Sequence, residues 1–201
     1  MDVFCVASAT VLCGIGGSFA GYYCYVCICI KICFAKFVLK SKTLISQCDY
    51  KKILGIHDEI SQAMALANKF LSYPAFVTVL CNMFGLFFII YNFVFYPSDD
   101  IEACLLLIYG IIQNVTALLL MLIPAAGCNR ASNVARNTIK SLPGFLPQYR
   151  KILKMYIQRH SEIISLTLWN IYVIDESLVI SAFGTLLTYG FFIGSIKIAK
   201  E

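Results

Sequence analysis

Residues 163–196 read IISLTLWNIYVIDESLVISAFGTLLTYGFFIGSI. An apolar run, Ile163–Ile174, stops at the acidic pair Asp175–Glu176, and an uncharged stretch from Ser177 to Ile196 follows. A helix that crosses a bilayer needs about 20 apolar residues at about 1.5 Å of rise each. The Ser177–Ile196 stretch meets that length, with Thr188–Tyr189 buried past its middle. The fold class that follows is all-α and polytopic, with lipid as one of the solvents.

Composition agrees. Of 201 residues, 60% are hydrophobic and 13% charged, whereas soluble domains average about 45–50% apolar and about 25% charged. Working outward, four stretches lack Asp, Glu, Lys and Arg over a spanning length: Val3–Ile30, Phe70–Tyr96, Ala103–Asn129 and Ser177–Ile196. These predict four transmembrane helices in one transmembrane domain covering 1–201. The connections 31–69 and 130–172 hold nearly all the basic residues, from Lys31 to Lys69 and from Arg130 to Arg159. The link Pro97–Glu102 holds acids only. Cytoplasmic loops carry the excess of Lys and Arg, so both long connections are expected inside and both termini outside. The net charge of +5 then reports topology and contact with anionic lipid, and no nucleic-acid partner is implied. Val3–Cys13 lacks the basic lead of a secretory signal, and a start outside the cell predicts further spans upstream.

Local patterns refine this outline. Gly17 and Gly21 make a GxxxG in span one, suited to close helix approach within the chain or between chains. The run CYVCICIKIC (Cys24, Cys27, Cys29, Cys33) has CxxC-like spacing, but at the inner end of a span it reads as packing sulfur rather than a metal cage. An acylated Cys29 or Cys33 is the alternative. Asp49–Leu71 reads as an amphipathic helix with Ile53, Ile56, Ile60, Met64, Ala67 and Leu71 on one face, and Pro74 marks entry to span two. The link at Pro97–Asp100 is a tight turn, making spans two and three an antiparallel hairpin. Gln113, Asn114 and Thr116 lie deep in span three and face either other helices or a wet cavity. Leu142–Pro147 is expected to break the second connection. Helical periodicity over Gln148–Ile164 is expected to lead through Trp169 into the last span. His57 and His160 sit on separate elements, which suits surface or packing roles.

No enzyme constellation is present: there is no GxSxG, HExxH or phosphate loop, and no cofactor or metal is expected. Asp175 and Glu176 fit the N-terminal cap of the last helix. Repeated around several subunits, they would instead form an acidic ring at an inner mouth.

Asp175-Glu176-Ser177-Leu178, followed by Thr188-Tyr189, the five-residue run Gly190–Gly194 and a chain end soon after, resembles the closing helix of the arthropod gustatory receptors. In that family Gln and Phe follow the run; Ser195 and Ile196 stand there here. The remainder is similar to the last four of the family's seven helices, which implies that three helices precede this portion. The resemblance implies a ligand-gated cation channel for tastants, built as a homo- or hetero-tetramer in the cell membrane. Its last helix lines the pore, giving Tyr189, Phe192, Ser195 and Ile196 as pore or gate residues and Asp175 and Glu176 as inner-mouth acids. Tyr91, Asn92, Tyr109 and Gln113 become candidates for the tastant pocket. The cytoplasmic helices would pack as an anchor. An unrelated four-span scaffold or assembly protein without a pore is the competing reading.

Overall fold

The computed structural model describes residues 2–47, 49–95, 101–159 and 165–198. Three long helices, α1 (Asp2–Ser46), α2 (Tyr50–Phe95) and α3 (Ile101–Phe145), lead to a 3-10 turn (Pro147–Tyr149) and the short α4 (Arg150–Arg159). A two-stranded hairpin, β1 (Thr167–Leu168) and β2 (Tyr172–Val173), then precedes α5 (Glu176–Ile198). Three helices are long and apolar enough to cross a membrane among the described residues: Gly16–Ser46, Tyr50–Phe95 and Ile101–Phe145. The chain forms two compact units. The first comprises Met1–Cys24, Tyr73–Ile123 and Glu176–Glu201; the second comprises Tyr25–Ser72 and Pro124–Asp175.

The second unit is built on seams of period 3.5. On α1, Cys27, Ile30, Phe34, Phe37, Ser41 and Leu44 are buried at alternating steps of three and four. On α3, Ala125, Cys128, Ala135, Ile139 and Leu142 continue the same spacing, and Leu146 extends it past the helix end. That repeat keeps one stripe of a helix facing its neighbours along its length, as in coiled coils. Ile53, Ser61, Met64 and Ser72 give α2 its buried face, and Leu153 gives α4 its own. His57 packs on Phe37 with ring centroids 5.6 Å apart, and Tyr50 meets Tyr149 at 4.3 Å. Each fully buried Leu, Ile, Phe or Met contributes about 1.5–3 kcal/mol relative to exposure in water, and this unit buries Phe34, Ile53, Met64, Leu142 and Leu153.

The first unit is packed differently. The antiparallel helices α2 and α3 touch at glycines: a Cβ on Gly85 would stand 2.9 Å from Asn114 Oδ1, and one on Gly110 would stand 2.9 Å from Ile89 Cδ1. Tyr23, Leu86, Leu118, Met121 and Leu122 are buried. Phe84, Phe88, Ile101, Leu105, Leu106 and Tyr109 are exposed. An apolar exterior of that extent suits lipid, where outward aliphatic and aromatic side chains carry no penalty.

Some expectations are corrected and others are met. Pro74 does not open a new helix: it lies inside continuous α2. The expected break over Leu142–Pro147 is present: α3 runs past Pro143 and ends at Phe145, before Leu146 and Pro147. The expected face of the Asp49–Leu71 segment is also present, with Ile53 and Met64 buried and Ile56, Ile60, Ala67 and Leu71 half-buried. Within this chain Gly17 and Gly21 meet nothing within 4 Å among the described residues, and the close helix approaches are at Gly85 and Gly110. No helix leads through Trp169, where the chain turns back on itself as a hairpin. The turn at Pro97–Asp100, His160 and the end of the Gln148–Ile164 segment lie outside the described residues.

Candidate functional site

The hairpin owes its place to three amides. Asn129, 6% exposed on α3, accepts the Leu166 N–H at 2.7 Å and donates to the carbonyls of Leu166 (3.0 Å) and Ile174 (2.7 Å). The Ile174 N–H also donates to the Leu166 carbonyl at 3.1 Å, closing the base of the hairpin. From α2, Asn68 accepts the N–H and hydroxyl of Thr167 at 2.8 and 3.0 Å and donates to Asn170 at 3.2 Å. The Trp169 N–H donates to the Ser72 carbonyl at 3.2 Å. Buried backbone groups must find partners or lose about 1–3 kcal/mol each, and here side-chain amides replace a longer sheet.

The tip is a tight turn. Trp169 and Asn170 have φ of 48° and 55°, and the Ile171 N–H reaches the Leu168 carbonyl at 3.0 Å. Two consecutive positive φ values mark the primed turn whose twist matches antiparallel strands. Asn tolerates this region, while Trp occupies it against its preference. Leu166, Leu168 and Ile174 bury the hairpin's inner side, which outweighs that local cost.

The hairpin hands the chain to α5. Ile174, held by Asn129, is followed by exposed Asp175 and then by Glu176, the first residue of α5. Acids there agree in sign with a helix N-terminus. Along α5, Ser177, Ser181, Gly184, Thr188, Phe192 and Ser195 follow one another at steps of three and four, and every one is exposed. Thr185 and Tyr189 flank that stripe and are exposed as well. The hydroxyls of Thr185, Thr188 and Ser195 donate to carbonyls of their own helix, on Ser181, Gly184 and Phe192, at 2.8–2.9 Å. Each hydroxyl donor is thereby satisfied within the helix, and each oxygen still offers lone pairs outward.

Of the pore and gate residues expected from sequence, Tyr189, Phe192 and Ser195 share this side of α5. Phe192 is 62% exposed. Tyr189 is divided: its ring meets Phe87 of α2 edge-on at 5.9 Å and 88°, yet it remains 52% exposed. The Ile196 side chain lies outside the described residues. The pocket candidates sit on touching helices, Tyr91 and Asn92 on α2 and Tyr109 and Gln113 on α3, without forming an enclosed chamber. Tyr109 is 64% exposed and Tyr91 also faces outward, stacked on Phe95 at 4.8 Å. The Asn92 amide donates to the Phe88 carbonyl at 2.8 Å, and Gln113 is half-buried. Its neighbour Asn114 is the amide at the helix contact, donating to the Gly110 carbonyl at 2.7 Å beside Gly85.

Sequence reading passed over Asn68 and Asn129, each at the edge of an apolar run, and Ser181, Gly184 and Thr185 of α5. Their helical spacing was the available signal. Among the described residues no group of His, Cys, Asp or Glu is placed to hold a metal ion. Cys27 and Cys128 are buried in the seams, and Cys33 is exposed.

Three long apolar helices, each able to cross a membrane, and a shorter, hydroxyl-striped final helix are those of a membrane protein. The profile of the 7tm chemosensory receptor family matches residues 11–193, and the chain belongs to that family. It is not an enzyme family. No individual curated protein matches the chain.

Proposed function

We propose that this chain is a gustatory receptor subunit of a ligand-gated cation channel, with α5 as its fourth span and pore helix. The observation that carries the reading is the exposed stripe Ser177, Ser181, Gly184, Thr188, Phe192 and Ser195. In a tetramer of related subunits, such stripes from neighbouring copies face a common axis and line it with uncharged oxygens. Uncharged oxygens replace part of a cation's hydration without holding it tightly, as conduction requires. Asp175 and Glu176, repeated around the inner mouth, attract cations toward that path. The aromatic ring at Phe192 and the apolar Ile196 supply a constriction that closes by dewetting. Tyr91, Asn92, Tyr109 and Gln113 serve as the tastant-facing surface between α2 and α3, completed by other helices of the assembly. The connections carrying Lys and Arg lie in the cytoplasm and both termini of this chain lie outside.

Single cysteines at Ser181, Thr188 and Ser195 test the reading, in assembled protein that conducts. Aqueous thiol reagents are expected to modify all three and to change the current, and Ile196→Gly is expected to alter gating. Uniform inertness in a conducting preparation overturns the assignment of α5 as the pore helix.

A further inference from the structure

The end of α3, the 3-10 turn and α4 border an open groove of about 570 Å³, within the range of about 300–1,000 Å³ usual for small-molecule sites. Lys140, Arg150 and Lys154 line it together with Gln158. Arg150, Lys154 and Gln158 recur at four-residue steps and so occupy one side of α4. The remaining lining among the described residues is apolar or backbone, from Pro143, Gly144, Pro147 and Ile157, and includes no carboxylate. A side chain on Gly144 would meet no atom within 4 Å, so the floor there is open.

Two features of this arrangement work against the isolated fold. The first turn of α4 begins with Arg150 and Lys151 and contains no acid, the opposite of the sign a helix N-terminus favours. Arg150 and Lys154 are like charges one turn apart, which destabilises a helix. Among the described residues no carboxylate pairs with Lys140, Arg150 or Lys154. A bound anion relieves both conflicts at once.

We propose that this groove binds a water-soluble, phosphate-bearing small molecule of the nucleotide or inositol polyphosphate class. The guanidinium of Arg150 matches a phosphate with paired N–H groups, and the two lysines act as point charges on further phosphates. The prolines and Ile157 accept the uncharged body of the ligand. Source follows from distance, and this step rests on the topology proposed above. From Asn129, the end of the third span, to Lys140, α3 rises about 16 Å at about 1.5 Å per residue. A headgroup tethered in the bilayer falls short of that depth, whereas a free ligand does not.

The test uses the intact purified protein in detergent, with inositol hexakisphosphate and ATP as probes in titration calorimetry. Saturable binding at one site per chain is expected for at least one probe, weakening as salt rises. Lys140→Gln, Arg150→Gln and Lys154→Gln are each expected to weaken it about tenfold, the value of one hydrogen bond to a charged group. Gly144→Leu fills the floor without changing charge and is expected to weaken binding by a similar factor, while Lys40→Gln on α1 leaves it unchanged. Absence of saturable binding overturns the proposal. So does an equal loss with Lys40→Gln, or full binding by Gly144→Leu, because either shows charge attraction without a site. Binding to vesicles containing phosphatidylinositol bisphosphate but not to either soluble probe overturns the soluble assignment. Labelling of Lys140→Cys from outside the cell overturns the topology while leaving the calorimetric result to judge the site.

Discussion

Asn114 and Asn129 lie on the same helix and have opposite duties. Asn114, in the first unit, returns its amide to a carbonyl of its own helix and lies beside Gly85. Asn129, in the second unit, reaches another part of the chain, making three hydrogen bonds to the hairpin backbone. The difference follows from what each amide faces. At a helix contact packed through a small residue, a polar side chain is best satisfied within its own helix. Against a segment distant in sequence whose backbone groups need partners, it becomes a specific connector. One helix thus obeys two sets of rules along its length.

The largest test compares phenylalanines. Phe34→Ala empties a buried position of the second unit and is expected to cost about 3–5 kcal/mol. Phe84→Ala, at a position 69% exposed in the first unit, is expected to leave thermal unfolding of the purified protein nearly unchanged. Equal losses break the comparison.

Next come the asparagines themselves. Asn129→Leu strands the Ile174 carbonyl and the Leu166 N–H, while the Leu166 carbonyl keeps the Ile174 N–H, and is expected to cost about 2–4 kcal/mol, at about 1–3 kcal/mol per buried unpartnered group. Asn114→Leu removes only a bond within its own helix and is expected to cost under about 1 kcal/mol. Hydrogen exchange at Leu166 sharpens this result: protection there should vanish in the first variant and persist in the second.

A smaller effect separates glycines of the first unit. Gly85→Ala brings a Cβ to 2.9 Å from Asn114 Oδ1, whereas Gly21→Ala enters open space. Both gain up to about 1 kcal/mol of helix propensity. Only Gly85→Ala has that gain offset by crowding, so its unfolding temperature should fall below that of Gly21→Ala.

The smallest concerns pH in the second unit. Burial, and secondarily the Asp58 carboxylate, raise the Tyr156 hydroxyl above its ordinary pKa of 10.0. The folded state therefore holds its proton more tightly than the unfolded state. The associated stability is complete below the ordinary value and is lost as pH rises through the raised one. Tyr156→Phe is expected to flatten the alkaline limb of a stability profile, and Asp58→Asn to reduce it partially.

Much of the helical outline was readable directly, because an uncharged run of spanning length has few other uses. That long apolar helices cover the runs after Phe70 and Ala103 was legible for that reason, and the acidic pair Asp175–Glu176 marked the start of the last helix. The hairpin was not. Ile163–Ile174 is a short apolar run that periodicity cannot divide between helix and strand, and its turn is Trp-Asn in place of the usual Asn-Gly. The GxxxG did not say which glycines meet a helix of this chain, because a small-residue motif permits a close approach without choosing the partner. Pro74 misled because a long helix with packed neighbours keeps its course through the local defect it introduces.

The abundance of lipid-compatible helix was thus written in local composition, since hydrophobicity and charge act residue by residue, and the likeness to the chemosensory receptor family was carried by the Asp175–Leu178 and Thr188–Tyr189 motif of the closing helix. The joining of Asn129 to Leu166 and Ile174, the choice of Gly85 over Gly21 as a contact, and the gathering of Lys140, Arg150 and Lys154 about one groove required the folded chain. Each depends on which residues distant in sequence share a neighbourhood, and hydrogen bonds, close packing and clustered charge act only across a few ångströms.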